Sequence, residues 1–148
     1  MKSIQSFLVV ILLAISGTTL AEITIVNLSD GSTVHEHGFK IVAKTDGYIT
    51  DSILNVIVSI QNMDTGLEGH VDAFKGPNQG PCMIYPPQDD ITVSLISLGF
   101  CHGISHPFPI VAKVHRGGFV SGDMLQVSIY IYDGSSINDF SEAYVLVR

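Results

Sequence analysis

Met124 to Tyr132 reads MLQVSIYIY and Ala143 to Val147 reads AYVLV. In the first run Val127, Ile129 and Ile131 alternate with Tyr130 and Tyr132, a period of two that puts apolar side chains on one face and tyrosines on the other. The same rhythm recurs upstream in Glu22–Asn27, Phe39–Lys44, Leu54–Gln61, Ile91–Leu98 and Pro109–Val114. A weaker run over Leu67–Phe74 reads as an edge strand. Turn residues separate the runs: Ser29-Asp30-Gly31-Ser32, Asp46-Gly47, Asp64-Thr65-Gly66 and Asp133-Gly134. No segment pairs a 3.6-residue period with a cap and adequate length. The expected class is all-β, an antiparallel sandwich or barrel of about seven to eight strands.

The N-terminal stretch has a different character. Lys2, the apolar run Phe7–Ile15 and the small-residue end Thr18-Thr19-Leu20-Ala21 read as a secretory signal peptide over 1–21, leaving a single domain over 22–148. No later stretch is long enough for a membrane helix, so the expectation is a secreted or periplasmic protein with no membrane contact once the leader is removed.

Across 148 residues the formal net charge is −7, with 14 Asp+Glu against 7 Lys+Arg. The leader removes a lysine and no acid, so the mature domain is more acidic still. Such a balance argues against nucleic acid as partner, because phosphate binding is driven by basic side chains. The hydrophobic share of 46% and charged share of 14% argue against a disordered chain.

Lys75 to Asp90 (KGPNQGPCMIYPPQDD) breaks the strand rhythm with a long Pro- and Gly-rich loop. It carries Cys82, and Cys101 lies beyond the next run. In an exported chain an even pair without C-x-x-C spacing reads as a structural disulfide, here tying the loop to the sandwich.

The opening ITIVNLSDGSTV resembles the first strand and turn of bacterial immunoglobulin-like domains. The closing GGFVSGDMLQVSIYIYDGSSINDFSEAYVLV resembles their last hairpin, and similar patterns occur in fibronectin type III-like domains. The resemblance covers both ends of the chain and little of the middle. It implies an immunoglobulin-like sandwich used as an exported binding or spacer module, and it carries no catalytic residues. The antibody-type core Cys pair with a packed Trp is absent, since the chain has no Trp.

With strands in immunoglobulin order, Ser29–Gly38, Asn62–Gly66 and Arg116–Ser121 would gather at one end of the sandwich. Asp46–Asp51, Gly99–Pro107 and Asp133–Asp139 would gather at the other. The second set offers Asp46, Asp51, Asp133 and Asp139, with His102 and His106 nearby, as oxygen ligands for Ca²⁺, although D-x-D-x-D-G spacing is missing. The first set offers His35 and His37, on one face if extended, with His115 as third ligand for Zn²⁺ or Cu²⁺. A solvated HEH turn is the competing reading.

No G-x-S-x-G, H-E-x-x-H or phosphate-loop motif is present, and no cofactor is expected. The expectation is therefore a non-catalytic module recognising a protein or glycan. Its contact residues would be Lys75, Asn78, Gln79, Tyr85, Pro86 and Pro87 of the long loop, with Met83 and Ile84 turned inward. The alternatives are a metal-binding protein using His35, His37 and His115, or a small enzyme inhibitor presenting the loop. Sequence leaves the oligomeric state open.

Overall fold

A computed structural model describes residues 22–46, 54–75, 82–85, 89–99, 109–133 and 136–148. The expected leader over 1–21 lies outside them. Among the described residues there are ten strands: β1 (Glu22–Ile25), β2 (Thr33–Val34), β3 (Gly38–Asp46), β4 (Leu54–Asn62), β5 (Glu68–Lys75), β6 (Met83–Tyr85), β7 (Val93–Leu98), β8 (Pro109–His115), β9 (Met124–Asp133) and β10 (Ser136–Val147). They form two sheets, a four-stranded one in the order β1-β3-β8-β7 and a six-stranded one in the order β2-β10-β9-β4-β5-β6. The all-β sandwich expected from the alternation is the architecture found.

Period-two patterning explains the packing. In β8 the inward Ile110, Ala112 and Val114 are fully buried, while Lys113 between them is exposed. In β9 Leu125, Val127, Ile129 and Ile131 are fully buried, and Tyr130 and Tyr132 stand half-buried on the outer face. The inner faces meet through Ile41, Ala43 and β8 on one side, and Val56, Val58, Ile60, Val71 and β9 on the other. Each such isoleucine or valine contributes roughly 1.5–3 kcal/mol by leaving water. β1 lies over β9 and β10, and β7 over β4 and β5, so the two sheets close on each other along both flanks.

Four local expectations need correction. Among the described residues the strand number is ten rather than seven to eight, because β2 and β6 are too short to alternate visibly. β2 also pairs parallel with the end of β10, Thr33 opposite Leu146 and Val34 opposite Val147, in an otherwise antiparallel structure. β5 is not an edge strand: β6, from within the expected loop, pairs onto it through Asp72↔Tyr85, Ala73↔Ile84 and Phe74↔Met83. β10 begins at Ser136, seven residues before the run AYVLV, after a register shift between Ile137 and Asp139. That irregularity interrupts the regular pairing with β9 at the start of β10.

Residues 89–92 cross from one sheet to the other and plug one end of the core. Ile91 is 1% exposed, and its N–H donates to Glu68 O at 3.2 Å. Asp89 Oδ2 accepts both the His70 N–H and the His70 Nδ1 at 2.9 Å, and His115 N–H donates to Thr92 O at 2.9 Å. The far end of the long loop is thus fastened to β5 by a side chain.

Candidate functional site

The turns 29–38, 62–66 and 116–121 do gather at one end, around Asn62. This asparagine is fully buried yet polar, and it is satisfied on every side. Its Nδ2 donates to Gly118 O at 3.1 Å and to Asp123 Oδ2 at 2.8 Å. Its Oδ1 accepts the N–H of Asp64 at 3.0 Å and of Thr65 at 3.3 Å. Asp123 Oδ2 also accepts Val120 N–H at 3.0 Å, and Asp64 Oδ2 accepts Met124 N–H at 2.7 Å. Glu36 reaches over to accept Ser121 N–H at 3.3 Å. These carboxylates therefore hold backbone amides, the usual duty of Asp beside a turn. Between the turns lies an open groove of about 500 Å³ whose walls include Glu36, His37, Leu67, Arg116 and Phe119.

The three histidines proposed from sequence do not form a metal-holding group among the described residues. Residues 35–38 form a turn closed by Gly38 N–H donating to His35 O at 3.1 Å, rather than an extended segment. His35 and His37 nevertheless stack, ring centroids 6.0 Å apart at 17°. His115 turns to β7, where its Nε2 hydrogen-bonds Ser94 Oγ. Among the described residues no group of three or more His, Cys, Asp or Glu side chains is arranged to hold a metal ion. His37 and His115 thus sit in different local networks.

The outer face of the six-stranded sheet is the second candidate, and register builds it. One row crosses it as Phe140, Tyr130, Ile57, Asp72 and Tyr85 on β10, β9, β4, β5 and β6. The neighbouring row carries Tyr132, Asn55, Phe74 and Met83. Tyr130 stacks on Phe140 at 5.9 Å and lies 6.4 Å from Tyr132. Phe140, Tyr85 and Met83 are each more than half exposed. In the middle, Asn55 Nδ2 donates weakly to Asp72 Oδ2 at 3.4 Å, while Asn55 Oδ1 and Asp72 Oδ1 are buried with no hydrogen-bond partner.

Of the expected contact residues, Tyr85 lies on this face as an exposed residue of β6. Met83 and Ile84 are exposed too, at 52% and 49%, against the expectation that they point inward. The reason is that β6 is an edge strand beyond the reach of the four-stranded sheet, so neither side of it faces the core. Cys82 is half-buried against the core. Cys101, Asn78, Gln79, Pro86 and Pro87 lie outside the described residues, as does the Lys75 side chain. The opposite turn end, with Asp51, His102, His106 and the side chains of Asp46 and Asp133, lies outside them as well.

Sequence reasoning missed Asn55, Asp72 and Phe140. The alternation of Phe140, Glu142 and Tyr144 with Ala143, Val145 and Val147 was a signal for Phe140. Asp72 and Asn55 carry no such mark, because only cross-strand register sets them among aromatic rings.

No family model and no curated protein matches the chain. Among solved structures it is similar to part of a β-glucuronidase from glycoside hydrolase family 2, at 12% identity and TM-score 0.40, covering 90% of this chain and 12% of that one. It is also similar to CfaE, the adhesive subunit of CFA/I fimbria of enterotoxigenic Escherichia coli, at 11% identity and TM-score 0.34, covering 85% of this chain and 47% of that one. A point mutant of that adhesin aligns at 12% identity with the same coverage. The chain thus spans less than half the length of either protein.

Proposed function

We propose that the protein is an exported, non-catalytic binding module of immunoglobulin-like architecture, which recognises a protein partner through β6 and the outer sheet face beside it. The observation that carries this reading is the exposure of all three β6 side chains. Met83, Ile84 and Tyr85 are each about half exposed on a strand added to the sheet edge. Apolar side chains held rigidly in water bring contact area at little ordering cost. The loop's fastening supports the same reading: Asp89 bonds His70 at its far end, and the Cys82–Cys101 disulfide expected from the sequence would anchor it at the near end. No cysteine among the described residues is free.

The test replaces Met83, Ile84 and Tyr85 with Ser and compares partner capture from the exported fraction by the parent and the variant. These side chains are outside the core, so folding should survive and circular dichroism checks it. Loss of a specific partner from the variant supports the reading, and an unchanged partner set removes β6 as the recognition element. Mass spectrometry before and after reduction reports the disulfide, and two free thiols in the exported protein exclude it.

A further inference from the structure

We propose that the outer face of the six-stranded sheet around Asp72 is a receptor for the guanidinium of an arginine presented by a partner protein. This deepens the binding-module reading and rests on it. Three observations converge on the same few residues.

The first is an unmet electrostatic demand. Asp72 Oδ1 is buried without a hydrogen-bond partner, and among the described residues Asp72 forms no ion pair. The chain's exposed Lys40, Lys44 and Lys113 stand on the outer face of the other sheet, where they cannot compensate it. A buried carboxylate oxygen without a donor is costly, and a cation that reaches it removes the cost.

The second is a second acceptor beside it. Asn55 Oδ1 is likewise buried and unpartnered, on the side chain that contacts Asp72 through its amide. Two neighbouring acceptors call for a ligand with several donors in one plane. A guanidinium has five in a rigid fork, whereas an ammonium is a point charge.

The third is the rim. Tyr85 is the cross-strand neighbour of Asp72, Phe74 follows it on the same face, and Tyr130 with its stacked Phe140 closes the row. Aromatic faces attract guanidinium planes by cation–π contact, more strongly once water is excluded. Tyr85, the cross-strand neighbour of Asp72, belongs to an edge strand of three residues, and its hydroxyl donates to Met83 Sδ at 3.4 Å. A guanidinium would reach the two oxygens by turning aside the side chains that cover them. The net charge of −7 attracts such a partner from a distance.

The experiment titrates the protein with a short glycine peptide carrying one arginine, and with the same peptide carrying citrulline, a neutral isostere. Binding is followed by calorimetry and by tyrosine fluorescence, which no Trp obscures. The arginine peptide should bind and the citrulline peptide should not. Asp72→Asn should weaken binding about tenfold or more, and Tyr85→Ser should weaken it as well. Glu22→Gln, which removes one charge from an exposed position on the other sheet, should leave it unchanged. Equal binding of citrulline, equal losses in Asp72→Asn and Glu22→Gln, or binding of maltohexaose in place of the arginine peptide would each overturn the proposal. Should those results appear while partner capture still depends on Met83–Tyr85, the guanidinium site falls and the binding module stands.

Discussion

The backbone N–H of Ile23 donates to Asp139 Oδ2 at 2.6 Å, across 116 positions of sequence. Ile25 N–H donates to Ser141 Oγ at 3.2 Å over the same separation. β1 is an edge strand whose outward amides would otherwise be open to another chain. Side chains of β10, from the opposite sheet, occupy them instead. The edge is closed and the two sheets are joined by the same bonds.

Asp139→Ala should therefore cost ~2 kcal/mol, the price of a buried amide left without its acceptor. Urea unfolding measures the loss, and amide exchange at Ile23 should accelerate far more than exchange at Val127 in the sheet centre. Equal acceleration at both would mean that the substitution acts on the whole fold rather than on the edge.

Asn62→Ala should destabilise by ~3 kcal/mol, since Gly118 O, Asp123 Oδ2 and the amides of Asp64 and Thr65 all lose a partner at a fully buried position. Asn62→Asp should not rescue it. The new carboxylate keeps the acceptors but faces Asp123 Oδ2, formerly 2.8 Å from the amide nitrogen. A thermal melt of both variants decides this, and a stable Asp variant would show that the donor side is dispensable.

Two glycines on the same hairpin should respond differently to alanine. A Cβ on Gly69 would lie 1.8 Å from Ile91 O, a backbone atom that cannot move away cheaply. Gly69→Ala should cost ~4 kcal/mol or prevent folding. Gly66 has φ +78 with nothing within 4 Å of its would-be Cβ, so Gly66→Ala should cost only the left-handed backbone term of ~1 kcal/mol. Chemical denaturation ranks the pair.

Asp89→Ala should release the end of the long loop while leaving the core intact, because among the described residues Asp89 bonds His70 alone. Limited proteolysis should then cut near residues 86–90 more rapidly, with melting temperature lowered by a few degrees, as ~1 kcal/mol implies. An unchanged cleavage rate would mean that the plug at Ile91 alone holds the segment.

Alternation made most of this fold legible. Val127, Ile129 and Ile131 face the core as read, and the turns at 29–38, 62–66 and 116–121 meet at one end as the strand order implied. The failures share a cause. β2 and β6, of two and three residues, are too short to show a period, and the ladder between β9 and β10 is irregular between Ile137 and Asp139. Met83 and Ile84 look like core residues because they are apolar, yet their placement depends on where a sheet ends, which is a property of pairing rather than of composition. For the same reason Asp72 was silent in the sequence. Its setting among Tyr85, Phe74 and Asn55 exists only after three strands have found their register.

The parallel union of β2 with β10 has a mechanical consequence. Leu146 N–H is held by Ser32 O, Arg148 N–H by Val34 O, and Glu36 N–H by Arg148 O, at 2.8–3.0 Å. Tension applied to the chain before Ser32 and after Arg148 would draw these two strands along their own axes in opposite directions. All three bonds would then bear the load together and fail together, in shear, rather than opening one at a time like a zipper. A domain joined in this way yields late and abruptly when pulled by its ends, and a single-molecule stretching trace should show one sharp rupture.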